Sequence, residues 1–122
     1  MAIKTQSAKA KGRELQKRIA KKITESFHLE EGDVESRSMG AGGVDIILSP
    51  RARREFPISI ECKNTRKTPA LAELVQAKAN AYARTLPAVV WKPHRAPYED
   101  AIIMARFDDF VAWVKDVCES IL

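Results

Sequence analysis

Two short apolar segments that each contain an acidic residue constrain the fold of this chain more than any other feature. Residues 43–48 contain Asp45, and residues 56–63 contain Glu61 sixteen positions further on. Both segments have the length and apolar content of buried β-strands. A charged side chain in a buried strand is unfavourable unless a partner or ligand compensates its charge. The two acidic residues are therefore expected to lie at one site that compensates them.

The spacing within the second segment adds a basic group to this site. Glu61 and Lys63 are two residues apart, so their side chains point to the same face of a strand. If the two strands pair through the Arg-rich loop 49–55, Asp45 lies beside Glu61. Two carboxylates on one face can bind a hard divalent cation such as Mg²⁺, with the Lys63 ammonium within reach. This arrangement predicts metal-dependent hydrolysis, whereas a simple Glu61–Lys63 salt bridge on an edge strand would leave Asp45 unexplained.

Length and composition indicate one globular domain. The chain has 122 residues, of which 45% are hydrophobic and 30% charged, as is usual for a globular protein. No apolar segment approaches the roughly 20 residues of a membrane span, and the N-terminus lacks the apolar core of a signal peptide. We therefore expect a cytoplasmic protein with no membrane partner. Residues 1–8 are expected to be a basic flexible tail and residues 9–122 a single domain.

The hydrophobic periodicity predicts the element order α-β-β-β-α-β-β-α. Helices are expected at 9–27, at 68–85 with Thr68 as cap, and from a cap at Asp108 to the end of the chain. Strands are expected at 34–39, 43–48, 56–63, 88–92 and 101–104, in a central mixed sheet of about five strands flanked by helices. The helix between the third and fourth strands favours a parallel connection. The middle helix is expected to pack Leu71, Leu74, Val75, Ala79 and Tyr82, and the last to bury Phe107, Phe110, Val111, Val114, Val117, Cys118 and Ile121.

The charge is distributed in blocks. Residues 1–22 carry a net charge of +7, residues 23–49 carry −5, residues 51–67 carry +4 and residues 68–122 carry −1. The two basic blocks flank the carboxylate-bearing strands in sequence, which favours a polyanionic substrate such as nucleic acid. A solubilising tail and a solvated loop are the alternative explanation.

The combination of Val44-Asp45 with Glu61-Cys62-Lys63 resembles the motif of the PD-(D/E)XK nuclease superfamily, with Val44 replacing the nominal proline. This resemblance implies an α/β restriction-endonuclease-like core. Within the superfamily the chain is similar to archaeal and phage-type Holliday junction resolvases, which have a helical Gly-x-Glu motif like that of Gly12 to Glu14. The RecB-like branch usually has Gln and Tyr four residues apart on the second helix. Here Gln76 is followed by Asn80, with Tyr82 out of register, which favours the resolvase branch.

The resemblance assigns roles to individual residues. Asp45, Glu61 and the backbone carbonyl of Cys62 would bind Mg²⁺, for which Mn²⁺ would substitute, and Lys63 would orient the attacking water or neutralise developing charge. Glu14 would complete the metal shell, unless it forms a surface ion pair with Arg18. Ser38 would donate a hydrogen bond to the scissile phosphate, unless it is a turn residue that bonds its own backbone.

The implied substrate is DNA, most notably a four-way junction cleaved by paired nicks during recombination or repair in a bacterial or archaeal host, with a phage-encoded origin as one option. A homodimer is expected because the junction has two-fold symmetry. The alternatives are another PD-(D/E)XK nuclease, of the RecB-like or VRR type, acting on flaps or in replication and repair, and a non-catalytic DNA-binding module. Basic residues expected to contact DNA phosphates are Lys11, Arg13, Lys17, Arg37, Arg51, Arg53, Arg54, Arg66 and Lys67.

Overall fold

The chain has an α/β fold, seen in a computed structural model that describes residues 7–38 and 42–121. The elements in order are α1 (Ala8–Ser26), β1 (Val34–Ser36), β2 (Ile46–Leu48), α2 (Pro50–Glu55), β3 (Ile58–Thr65), α3 (Leu71–Asn80), β4 (Leu86–Pro93), a 3₁₀ turn (Tyr98–Asp100), β5 (Ile102–Met104) and α4 (Phe107–Ile121). Residues 1–6 of the predicted tail and residues 39–41 of the predicted strand end and glycine turn lie outside the described residues. No helix in the described part of the chain is long and apolar enough to cross a membrane.

The strands of the described chain form two sheets. Strands β1 and β2 pair antiparallel, while β4 pairs in parallel with β3 and antiparallel with β5. The parallel β3–β4 pair confirms the prediction made from the helix between them. The predicted single sheet of about five strands is not confirmed. The reason lies at Asp45, whose carboxylate accepts the Cys62 N–H at 2.7 Å and so occupies a donor that a continuous β2–β3 ladder would use.

Helix α1 covers the β1–β2 sheet and β3. Ser7 caps it by accepting the Ala10 N–H at 3.1 Å, so residues 7 and 8 of the predicted tail belong to the helix region. Leu15 and Ile23 on the predicted apolar stripe are 1% and 4% exposed. Burial of these side chains stabilises the helix against the strands by about 1.5–3 kcal/mol each. Phe27 lies just beyond the helix and is 41% exposed, with its ring centre 5.3 Å from that of Phe56.

Residues 50–55 form a short helix, α2, so the prediction of a hairpin loop here was wrong. Ser49 accepts the Ala52 N–H at 3.0 Å, and Pro50 is the first helical residue. A serine cap followed by proline is a favourable helix start. Ala52 is fully buried in the core under β2, which fixes the helix in place.

Helix α3 is shorter than the predicted helix 68–85. It begins after Ala70, not Thr68, and the Ala70 N–H donates to the Glu73 carboxylate at 2.7 Å. It ends at Asn80 because Ala81 is extended, with ψ 145°. The buried residue of α3 is Ala77. Leu71 and Val75, which were predicted to pack against the domain, are exposed. Tyr82 lies beyond the helix.

The prediction that α4 buries its apolar residues was wrong for Phe107, Phe110, Val111, Val114 and Cys118, which are exposed, and the side chain of Ile121 lies outside the described part of the chain. Phe107 is 75% exposed and Val111 is 48% exposed. The side of α4 that packs on the domain carries Asp109, which pairs with Lys78 at 3.0 Å, and Trp113, whose Nε1–H donates to the Pro57 carbonyl at 2.9 Å. These polar anchors orient the helix so that its apolar stripe faces outward. Asp108 is a residue of the first turn and not the cap.

Candidate functional site

Asp45 lies where the two sheets meet. Its backbone N–H donates to the Ile60 carbonyl at 3.2 Å, and its carboxylate accepts the Cys62 N–H at 2.7 Å. These bonds on either side of Glu61 bring Asp45 against the middle of β3. The Asp45 carboxylate is near enough to Glu61 for its negative charge to raise the pKa of the Glu61 carboxyl. The structure therefore brings together the two acidic residues that were predicted to share a site.

Arg37, predicted to contact DNA, is tied to the segment that carries Asp45. Its backbone N–H donates to the Asp45 carbonyl at 2.8 Å, and its Nε–H donates to the Val44 carbonyl at 2.7 Å. Gly43 has φ 97°, and a Cβ there would lie 3.1 Å from the Arg37 guanidinium. Glycine thus permits both the backbone conformation and the close approach. These contacts give Arg37 a structural role beside the site, and its contact with DNA stays a prediction.

The carboxyl of Glu61 is in an unusual electrostatic environment. The side chain is buried at 9% exposure, and burial is the main cause that raises its pKa from 4.5 to about 7. The negative charge of Asp45 and the hydrogen bond with it raise the pKa further, while Asn80 and Lys63 act in the opposite direction. Near neutral pH this carboxyl is thus shared between its protonated and ionised forms. A cation bound between the two carboxylates would remove the repulsion that raises the pKa.

An open cavity of about 170 Å³ lies beside Glu61 and Lys63. Both side chains line it from β3, which confirms that they lie on one face of the strand. Helix α3 supplies the opposite wall through Ala72, Glu73 and Gln76. The cavity gives solvent access to a carboxylate and an ammonium that the strand holds in fixed register. A ligand of modest size can therefore reach both groups.

Asn80 belongs to the site but is not among the site residues predicted from sequence. Its Nδ2–H donates to Glu61 Oε1 at 3.1 Å. Gln76 is four residues earlier on α3 and lines the same cavity, so the signal was a pair of amides on one helix face. Tyr82 serves the scaffold instead, since its hydroxyl lies 3.4 Å from the Leu48 N–H that donates to it.

Glu14 has a different set of contacts from those predicted. Its Oε2 accepts the Tyr98 hydroxyl at 3.1 Å, and the Arg18 guanidinium lies 4.4 Å from the centre of the Tyr98 ring. Glu14 is not among the causes that shift the pKa of Glu61. In residues 7–38 and 42–121, no cluster of three or more His, Cys, Asp or Glu side chains is arranged to hold a metal. A role of Glu14 in the metal shell stays a prediction.

The remaining predicted site residues are Cys62 and Ser38. The Cys62 side chain packs against the core beneath α1, where burial raises the pKa of the thiol well above its ordinary value. The negative charges of Asp45 and Glu61 raise it further. The thiol is thus kept protonated, and any role of Cys62 as a ligand falls to its backbone. Ser38 is exposed at the edge of the described segment, and its predicted phosphate contact stays untested.

Two of the arginines predicted to contact DNA support α2. Arg51 lies 3.5 Å from Glu30 and 3.9 Å from Asp33, on the outer side of the helix. Arg53 donates to the Leu48 carbonyl at 3.3 Å and lies 4.5 Å from the centre of the Tyr82 ring. Both side chains are thus engaged within the domain. The other predicted contacts that are exposed to solvent are Arg13, Lys17, Arg54, Arg66 and Lys67.

A cluster of basic residues surrounds the turn after β4, and we call it the His94 cluster. Local desolvation lowers the pKa of His94, and nearby positive charges lower it further. The charges belong to Lys11 and Arg66, which were predicted to contact DNA, and to two basic residues that were not predicted. The members are Lys11, Arg66, Lys92, His94 and Arg95. Lys92 is buried at 8% exposure, so the other members are the ones that can present a positive potential to an anionic ligand.

No protein-family model, curated protein or solved structure matches this chain. The chemistry of the site is therefore inferred from its geometry. Asp45 and Glu61 offer oxygen ligands, which suit Mg²⁺ because this ion is commonly held by one or two carboxylates together with water and substrate phosphates. The residues present fit such an ion.

Proposed function

We propose that this chain is a Mg²⁺-dependent DNA endonuclease of the PD-(D/E)XK type. The observation that carries the proposal is the meeting of the Asp45 and Glu61 carboxyls at the junction of the two sheets, with Lys63 on the same strand face. A buried carboxyl such as Glu61, repelled by a second carboxylate beside it, is unfavourable in a structural role. A divalent cation and a phosphate substrate would compensate it.

Asp45 and Glu61 would hold the metal, with the backbone carbonyl of Cys62 as a further ligand. When bound, Mg²⁺ would supply Lewis-acid stabilisation of the charge on the scissile phosphate. Lys63 would neutralise negative charge that develops at the phosphate and orient the attacking water. Asn80, by donating to Oε1 of Glu61, would fix the orientation of that carboxylate. Mn²⁺, which also accepts oxygen ligands, would substitute for Mg²⁺.

The DNA backbone would lie along the positive surface that includes the His94 cluster. Asn64, on β3 one residue after Lys63, donates from Nδ2 to the Lys11 carbonyl at 3.5 Å, which ties the start of α1 to the strand of the candidate site. Contacts between these basic side chains and DNA phosphates would position DNA without reading its sequence. Such a surface suits selection of DNA by shape.

Within this class we propose a Holliday junction resolvase, working as a homodimer in the cytoplasm. A four-way junction has two-fold symmetry and its resolution needs paired cleavage, so two copies of the site are needed. This choice is based on the resemblance of the sequence to archaeal and phage-type resolvases. The resemblance extends from the helix with Gly12 and Glu14 to the segment after Asp45.

A second nuclease class is favoured by one observation. Gln76 and Asn80 both face the candidate site from α3, although Tyr82 does not. The position of Gln76 beside Glu61 is like that of the glutamine of the RecB-like motif, although Asn80 stands where that motif has tyrosine. A RecB-like or VRR-type nuclease acting on flaps or other repair intermediates is therefore the alternative.

The test is Mg²⁺-dependent cleavage of matched DNA substrates of the same sequence: a four-way junction, a flap, a single strand and a linear duplex. We expect symmetric nicks across the junction and little cleavage of the duplex. Preferred cleavage of the flap or the single strand would support the alternative class. Binding of junction DNA without cleavage in Mg²⁺ or Mn²⁺ would contradict both and favour a DNA-binding module.

A further inference from the structure

The outward face of α4 is an apolar surface on the described domain. Phe107, Phe110, Val111 and Val114 are between 37% and 75% exposed, and their spacing of three and four residues aligns them in one stripe. The exposed Cys118 continues the stripe by one further turn. A helix stripe of this kind is normally packed against another element. We call this surface the α4 face.

The α4 face continues into a groove at its base. Ile103 of the edge strand β5, itself 53% exposed, lines an apolar cavity of about 440 Å³ together with Phe107, Phe110 and Trp113. The exposed apolar area is on the order of 400–500 Å² per copy, since an aromatic side chain contributes about 150–250 Å² when fully covered. Two such faces together would bury on the order of 1,000 Å², the size at which specific interfaces begin.

We infer that the α4 face binds a second copy of this chain, with the two α4 helices packed antiparallel about a two-fold axis. The charges beside the stripe favour this occupant. Asp108 and Lys115 lie seven residues apart, two turns along the helix and on the same flank of the stripe. An axis between residues 111 and 112 places Asp108 of one copy opposite Lys115 of the second, and the reverse pair forms by symmetry.

The same register satisfies the apolar positions. Val111 lies next to the axis, where it meets Val111 of the second copy, and Phe107 extends toward Val114 and Cys118 of the second copy. Large side chains on each helix thus face gaps between residues of the other, as in packed helix pairs. Glu119 of one copy lies beyond the start of α4 in the second copy, so no acidic residue of that helix lies opposite it.

This inference deepens the proposed function and depends on it for the purpose of the dimer, which is to place two sites on one junction. The interface itself can be tested without DNA or metal. A monomer that still cleaves junctions would overturn the interface alone, whereas a dimer that cleaves no DNA would contradict the nuclease alone. The two failures are therefore distinguishable.

The experiment measures the dimer dissociation constant by light scattering and sedimentation at micromolar concentrations. Asp108→Lys and Lys115→Asp each replace two attractive pairs with repulsive ones, so each is expected to raise the dissociation constant about fivefold or more. The double variant Asp108→Lys/Lys115→Asp restores the pairs and should return to within about twofold of the wild type. Both substitutions are at exposed positions, which spares the fold.

Two further variants sharpen the result. Val111→Glu places charges beside the axis and is expected to give monomers, while Glu119→Lys is a matched charge reversal outside the proposed contact and should change nothing. A monomeric wild type would overturn the inference. So would a dimer that Val111→Glu leaves intact, or single charge reversals that the double variant does not rescue.

Discussion

The carboxylate of Asp45 both accepts the Cys62 N–H and lies beside the carboxyl of Glu61. The first contact interrupts the ladder between β2 and β3, and the second creates the repulsion that helps raise the pKa of Glu61. At the residue scale, the same side chain therefore opens the sheet and builds the candidate site. A structural aspartate would be expected to stabilise its neighbours, whereas this one makes the ionised form of Glu61 less favourable.

The raised pKa of Glu61 predicts a pH-dependent stability. Folding raises this pKa from 4.5 to about 7, so the folded protein holds a proton that the unfolded chain has lost. The contribution of Glu61 to the free energy of unfolding is therefore largest below pH 4.5 and is lost as the pH rises through about 7. The loss is on the order of 3–4 kcal/mol, from about 1.4 kcal/mol per pKa unit over the rise from 4.5 to about 7.

Thermal unfolding of the metal-free protein across this pH range tests the prediction. Glu61→Gln should flatten the profile relative to the wild type, and the exposed control Glu31→Gln should not. Mg²⁺ should restore stability to the wild type at and above neutral pH, since the ion binds the ionised carboxylates of the folded state. Equal slopes in the wild type and Glu61→Gln would show that Glu61 is not the responsible group.

At the scale of elements, α3 is the helix whose position determines which polar groups reach β3. Its end at Asn80 places that amide on Glu61, while Ala77 packs against the domain from the same helix. The sequence predicted this helix but extended it to residue 85, because apolar spacing alone does not reveal where the backbone becomes extended. The contact between Asn80 and Glu61 depends on where α3 ends, so the sequence did not predict it.

Asn80→Ala is expected to lower the cleavage rate about tenfold, equivalent to about 1.4 kcal/mol, with little change in KM. The amide also lowers the pKa of Glu61, so its removal should shift the acidic limb of the pH–rate profile toward higher pH. Asn64→Ala is the matched control, since Asn64 contacts α1 and not Glu61. An unchanged pH profile in Asn80→Ala would contradict a positioning role.

At the scale of the whole molecule, the sequence predicted the α/β class, the parallel β3–β4 pair and the meeting of Asp45 with Glu61 correctly. The first two follow from apolar periodicity and from a crossover connection, which are local or nearly local signals. The meeting of Asp45 with Glu61 was predicted from a pairing of β2 with β3, whereas these strands belong to different sheets. The sequence did not predict α2, although Ser49 and Pro50 carry the start signal. It also placed the α4 stripe in the core, because a periodic pattern shows which side chains share a face but not what that face contacts.

The basic residues predicted to contact DNA were also chosen from a local signal. Charge blocks in the sequence located basic segments, but Arg51 and Arg53 make contacts within the domain. Lys92 and Arg95, from a segment with little net charge, join Lys11 and Arg66 around His94. Folding, and not sequence proximity, assembled this cluster.

The central claim is that Asp45 and Glu61 hold the metal of a DNA nuclease, and the most direct measurement is Mg²⁺-dependent cleavage of a four-way junction by matched variants. Asp45→Asn and Glu61→Gln should each reduce cleavage by about 10³-fold or more while retaining junction binding in EDTA. Glu31→Gln, a carboxylate-to-amide change on the exposed surface, should cleave like the wild type. Cleavage at wild-type rates by Asp45→Asn or Glu61→Gln would contradict the account.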